Sequence, residues 1–87
     1  MVEADAFMAI ADTNRRYILE ELRRGPKSVN ELASGLSVSR PAVSQHLKVL
    51  LDAGLVTAQA KGRRRIYAIS NGGFLKLHLW LDQFWDS

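Results

Sequence analysis

The sequence predicts a mainly α fold with a small β-hairpin, in the order ααααββα. Three observations carry this prediction. Up to Ala53, apolar residues recur at three- and four-residue steps in four segments, the mark of amphipathic helices. From Leu55 to Ser70 the period falls to two on either side of a glycine, and from Phe74 helical spacing returns. With 87 residues and no linker, repeat or low-complexity tract, the chain is one domain spanning 1–87.

The first helix covers Ala4 to Ala11, where Ala4, Phe7, Ile10 and Ala11 share a face. Asp12 stands as N-cap of the second, "TNRRYILEELRRG", whose Ile18, Leu19 and Leu22 line one side and which Gly25-Pro26 ends. Ser28, followed three residues on by Glu31, is a capping box for a short third helix with Leu32 and Leu36 as its apolar contacts. Gly35 and Ser37 permit a tight turn. Ser39 caps the fourth helix, and Pro41 falls in its first turn, where a missing N–H costs nothing. That helix runs to about Ala53, with Gly54 as its stop. "LVTAQA" and "RRIYAIS" are the two strands of a hairpin turning at Gly62. "SNGG" breaks the chain again, and "FLKLHLWLDQFWD" forms the last helix.

Composition excludes several classes of function. The chain has no cysteine, which removes disulfides, thiolate metal sites and cysteine nucleophiles together. Its two histidines are far apart, it has no glycine-rich phosphate loop, and Asp52 and His46 stand about 240° apart on their helix. No catalytic constellation and no cofactor site is expected, so the chain does not read as an enzyme. Apolar runs fall far short of the ~20 residues a membrane span needs, and the acidic start "MVEADAF" lacks signal-peptide shape. A soluble, cytoplasmic protein without a membrane partner is expected.

The formal net charge of +3 is unevenly spread: residues 1–39 carry −1, residues 40–65 carry +5 and residues 66–87 carry −1. The excess is concentrated where a polyanion would be met. On a helical wheel, Val43, Leu47 and Leu50 of the fourth helix form a narrow apolar stripe. Pro41, Ser44, Gln45 and Lys48 lie opposite it, and Arg40 is exposed in the first turn. An ordinary solvated helix would show a Glu/Lys ladder there, whereas this face is short-chained and polar, and a basic hairpin follows at once. The third helix, turn and fourth helix match a helix-turn-helix, whose second helix enters the DNA major groove. Arg40 suits guanine O6/N7, Gln45 adenine N6/N7, Ser44 a base or phosphate, and Lys48 a phosphate. Lys61, Arg63, Arg64 and Arg65 surround Gly62, forming a wing suited to phosphates or the minor groove. The expected DNA-binding set is Ser39, Arg40, Pro41, Ser44, Gln45, Lys48, Lys61, Arg63, Arg64 and Arg65.

From Met8 to Ser70 the sequence resembles the ArsR-type winged-helix repressors, named for arsenical resistance. The resemblance lies in "AD" with "RRYIL", in "S" with "PAVSQHLKVLLDAGLV", and in "KGRRRIYAI". It implies a winged helix-turn-helix that binds double-stranded DNA, represses transcription and dimerises through its first and last helices. It also implies base or backbone contacts from Arg40, Pro41, Ser44 and Gln45, the face the wheel selects independently. Two departures stand out. Thr13 replaces a proline common at the start of the second helix. Where metal-sensing members carry a Cys pair in the third helix, this chain has Ala33 and Gly35. Other members ligate through Asp and His on their last helices, where only His78 is present, and one His cannot hold a metal alone. No metal response is expected, and any effector is then a partner protein, a small molecule or expression level alone.

His78, between Leu77 and Leu81, is expected in packing or at an interface, and His46 in a structural position. Phe74, Leu77, Leu81, Phe84 and Trp85 form one wide stripe on the last helix, with Trp80 at its margin and Leu75 and Leu79 partly on the other side. One small domain cannot cover so much apolar surface. With Phe7 and Ile10 of the first helix, it is expected to meet a second copy across a twofold axis, each chain presenting the same patch. The alternative function is a winged-helix protein-interaction or RNA-binding module, since fold alone does not decide function. The polar start of the fourth helix favours DNA, because the major groove of A-form RNA is too narrow to admit a helix.

Overall fold

A computed structural model describes residues 3–85, with side chains from Ala6 onward. The side chain of Ala4 and all of Asp86, which the expected first and last helices include, lie outside the described residues. The elements are α1 (Glu3–Ile10), α2 (Thr13–Leu22), β1 (Lys27–Ser28), α3 (Val29–Ala33), α4 (Arg40–Asp52), β2 (Val56–Lys61), β3 (Arg64–Ile69) and α5 (Asn71–Asp82).

The expected caps are in place. The Asp12 carboxylate accepts from the Arg15 backbone N–H at 3.1 Å. At α3, the Glu31 N–H donates to the Ser28 hydroxyl while the Ser28 N–H donates to the Glu31 carboxylate, completing the capping box. Ser39 accepts from the Ala42 N–H at 3.2 Å to open α4, and Gly54 at φ 77° follows its C-cap Ala53. Gly62, at φ 63°, makes the turn between β2 and β3, which pair antiparallel from Val56↔Ile69 to Lys61↔Arg64.

Two elements depart from the sequence reading. First, the sheet has three strands in the order β1-β3-β2, with Lys27 opposite Tyr67 and Ser28 opposite Ile66. Two residues are too few to show a period, so β1 was not expected. Second, α5 begins at Asn71, so Gly72 and Gly73 lie inside it rather than breaking the chain before it. A Cβ on Gly73 would overlap the Gly54 carbonyl oxygen. The glycine therefore serves close approach of α5 to the turn after α4, and the Ser70 N–H donates to the Leu55 carbonyl at 2.9 Å beside it.

The core gathers Ile18 from α2, Leu32 from α3, Val43, Leu47 and Leu50 from α4, and Leu55 from the turn, all fully buried. Ala6 and Ala9 of α1 and Leu77 of α5 close it from outside. These residues hold the unburied face of α4 outward beside the hairpin, with α3, its turn and α4 forming the helix-turn-helix. A second joint is polar. Arg15 of α2 donates from Nε to the Ala9 carbonyl at 2.7 Å, from Nη2 to the Met8 carbonyl at 3.2 Å and from Nη1 to His46 Nδ1 at 3.3 Å. One guanidinium thus caps the end of α1 and touches the side of α4. His46, half-buried at this joint, has the structural setting expected of it.

Candidate nucleic-acid interface

Between α4 and the hairpin lies a groove of about 590 Å³. Arg40, Ser44, Gln45 and Lys48 line one wall and Arg63, Arg64 and Arg65 the other, with Ser28, Asn30, Asp52 and Tyr67 also contributing. Residues separated by up to 39 positions in sequence are brought together because Val43, Leu47 and Leu50 turn the opposite side of α4 into the core. Ser39, Pro41 and Lys61 are exposed but lie outside the groove lining, Ser39 and Pro41 at the start of α4 and Lys61 at the end of β2. The Ser39 hydroxyl is engaged as a cap.

The cations differ in what they touch. Lys48 pairs with Asp52 at 3.3 Å one turn along α4, and Arg64 pairs with Glu31 at 3.2 Å. The Arg65 guanidinium lies 5.7 Å from the centre of the Tyr67 ring, two residues on along the same strand face. Among the described residues, no ion pair or side-chain hydrogen bond engages Arg40, Ser44, Gln45, Lys61 or Arg63. From sequence alone the four wing cations are alike. Glu31 was recognised as a cap, but its second role needs the fold, because 33 residues separate it from Arg64. Asn30 sits on a five-residue helix too short to show a face. Tyr67 could have been placed in the groove from the two-residue step to Arg65.

Two carboxyls are held below their usual range. At Glu31 the Ser28 backbone N–H is the main cause, then the Ser28 hydroxyl, with Arg64 and Lys27 adding positive charge nearby. At Asp12 the Arg15 N–H dominates, followed by the Asn14 N–H, with His46 and Arg15 contributing charge. The Tyr17 hydroxyl stands where a side chain on Gly35 would begin, so any larger residue there must displace it. This is one of the two positions at which the resemblance places a metal-binding cysteine.

The expected dimer residues divide. Leu77, expected in the dimer patch, is at 5% exposure part of the chain's own core, beside Ala6 of α1 and the α4–β2 turn. Phe7, Ile10 and Phe74 are half-buried. Leu81, Phe84 and Trp85 are exposed, as are Trp80, Leu75 and Leu79, at the margin of the stripe read from sequence or partly on its other side, and Met8 of α1. Trp80 stacks edge-on against Phe7 at 4.9 Å and Phe84 at 4.8 Å, covering part of Phe7 from within the same chain. His78 is exposed rather than packed in the protomer, because α5 turns inward along Leu77, about 100° away.

Residues 12–58, from the α2 cap into β2, match the family model described as bacterial regulatory protein, arsR family. The chain belongs to the arsR family. As an arsR-family member it is a DNA-binding transcriptional regulator with a winged helix-turn-helix fold, and not an enzyme. It is 52% identical over 80 residues to the HTH-type transcriptional regulator Rv2034 of Mycobacterium tuberculosis, covering 92% of this chain and 75% of that one. With the arsenical resistance operon repressor of Bacillus subtilis it shares 39% identity over 66 residues, 75% of this chain and 63% of that protein. A crystal structure of an ArsR family transcriptional regulator superposes with a TM-score of 0.90 at 33% identity, covering 100% of this chain and 99% of the other. The solution structure of a homodimeric winged helix-turn-helix DNA-binding domain from Mycobacterium bovis superposes with a TM-score of 0.79 at 27% identity, covering 98% of this chain and 79% of that one.

Proposed function

We propose that this arsR-family protein is a homodimeric repressor that reads a palindromic operator, with α4 in the major groove and the wing on the adjacent backbone or minor groove. The observation that carries this reading is the groove. Arg40, Ser44 and Gln45 line it from α4 with no ion pair or side-chain hydrogen bond among the described residues, beside a wing that adds Arg63. Arg40 is suited to guanine and Gln45 to adenine, while Lys48 and the wing answer phosphate.

Exposed Leu75, Leu79, Leu81, Phe84 and Trp85 support a dimer through α5 and α1, since a small soluble domain seldom leaves so many large apolar side chains adjacent and uncovered. That the similar M. bovis domain is homodimeric supports a dimer as such. A twofold axis would place the two α4 helices about 34 Å apart, one turn of DNA. No helix among the described residues is long and apolar enough to cross a membrane, in keeping with a protein of the cytoplasm. The reading includes no cofactor and no metal input, since the sequence lacks cysteine and holds Ala33 and Gly35 at the positions in question.

The test is selection of bound duplexes from random DNA by the purified protein. An enriched inverted repeat with half-sites one turn apart is expected. Enrichment of a single asymmetric site, or of none, would refute the palindromic reading.

A further inference from the structure

We propose that Glu31 is a positioning residue that acts through Arg64, holding the wing in position and keeping one of its cations off phosphate. The inference rests on the DNA-binding reading above. The Glu31 Oε1 atom accepts from the Ser28 backbone N–H at 2.8 Å and from Arg64 Nη2 at 3.2 Å. Exposed ion pairs generally contribute little, because two flexible side chains must be ordered to form one contact. Here the capping box has already ordered one of them. Arg64 therefore meets a carboxylate fixed to the body of the helix-turn-helix.

Among the described residues, no other side-chain hydrogen bond or ion pair ties Lys61–Arg65 to the helices. The Arg65 contact with Tyr67 stays inside the hairpin. Glu31 thus sets the wing against α4 before DNA arrives. Binding to random DNA is almost wholly phosphate neutralisation, whereas the operator adds base-edge contacts. A carboxylate that occupies one arginine at the edge of a basic groove therefore removes the same phosphate contact from both kinds of binding, and leaves the choice between them to the base-edge contacts.

The test compares wild type, Glu31→Gln, Arg64→Gln and the double variant on the selected operator and on random duplex across a salt series. Gln keeps an oxygen for the Ser28 N–H, so the α3 cap survives. Arg64→Gln alone should leave the salt slope unchanged. Glu31→Gln should steepen it by about one unit on both DNAs while leaving the operator-to-random ratio unchanged, and adding Arg64→Gln should reverse the steepening. A slope that flattens by about one unit in Arg64→Gln alone would overturn the proposal, as would an unchanged slope in Glu31→Gln.

Backbone amide order parameters of residues 61–65, measured without DNA, give an arm independent of the DNA reading. They should fall in both single variants, and unchanged values would overturn the claim that Glu31 holds the wing. Failure of the wild type to bind any duplex would instead refute the DNA reading, and the amide arm would then decide the wing contact by itself.

Discussion

Gln45 and Arg40 carry the sharpest consequence at the scale of single residues. Replacing either with Ala should weaken operator binding by about 1–3 kcal/mol and leave random-duplex binding much less affected, because each loses a base-edge pair. Competition binding at fixed salt measures this, and equal losses on both DNAs would refute base readout. Arg63→Ala should weaken both kinds of binding and flatten the salt slope by roughly one unit. Arg63 and Arg64 are adjacent and identical in type, yet only Arg64 has a carboxylate partner among the described residues. Sequence supplied the residue type and the groove; it could not supply the partner, which arrives from α3. The same limit applied to His78, where spacing identified an apolar stripe but not which residue of it faces inward. Asp12 and Glu31 add a pH dependence. Their folded-state carboxyls titrate below the unfolded value, so their contribution to stability is present above the usual carboxylate range and lost as pH falls through the lowered values. In Asp12→Asn, denaturant midpoints measured between about pH 6 and about pH 3 should depend on pH less steeply than in wild type.

At the scale of elements, α5 makes two neighbouring glycines behave in opposite ways. Ala is ordinarily favoured over Gly inside a helix by up to about 1 kcal/mol. Gly72→Ala meets nothing within 4 Å, so it should stabilise the protein by up to that amount. Gly73→Ala drives a methyl group into the Gly54 carbonyl and should destabilise by about 1–3 kcal/mol despite the better propensity. Urea midpoints decide both, and a stabilised Gly73→Ala would disprove the close approach. The pair also shows why the start of α5 was not legible: "NGG" reads as a break when propensity is the sole guide, and the reason for tolerating it stands across the chain at Gly54. By contrast, α4 was readable to within about a residue, because its N-cap, Pro41, three inward apolar residues and terminal glycine all agree.

Over the whole molecule, apolar surface separates folding from assembly. Leu77→Glu places a charge in the chain's own core and should unfold it. Leu81→Glu with Trp85→Glu alters residues that are 41% and 76% exposed in the protomer, so the variant should stay folded. In the proposed dimer those charges are buried at a cost of several kcal/mol, and the variant should sediment as a monomer with operator binding lost. Circular dichroism with sedimentation distinguishes these outcomes, and a folded dimer with native affinity would exclude α5 from the interface. The apolar excess of α5 was plain in the sequence. Its division into a core residue and an outward remainder was not, because a helix apolar on most of its girth has no unique inward direction.

The Arg15 joint gives the proposed dimer a property that belongs to no base contact. Its guanidinium grips the last turn of α1, at the assembly end, and His46 of α4, at the reading end. If the proposed dimer forms through α1, the spacing between half-sites would be carried in part by different atoms from those that choose the bases. A lineage could lengthen or shorten the gap between its half-sites by substitutions around Arg15 while Arg40 and Gln45 go on reading the same letters, so that operator spacing and operator sequence are inherited as separate traits.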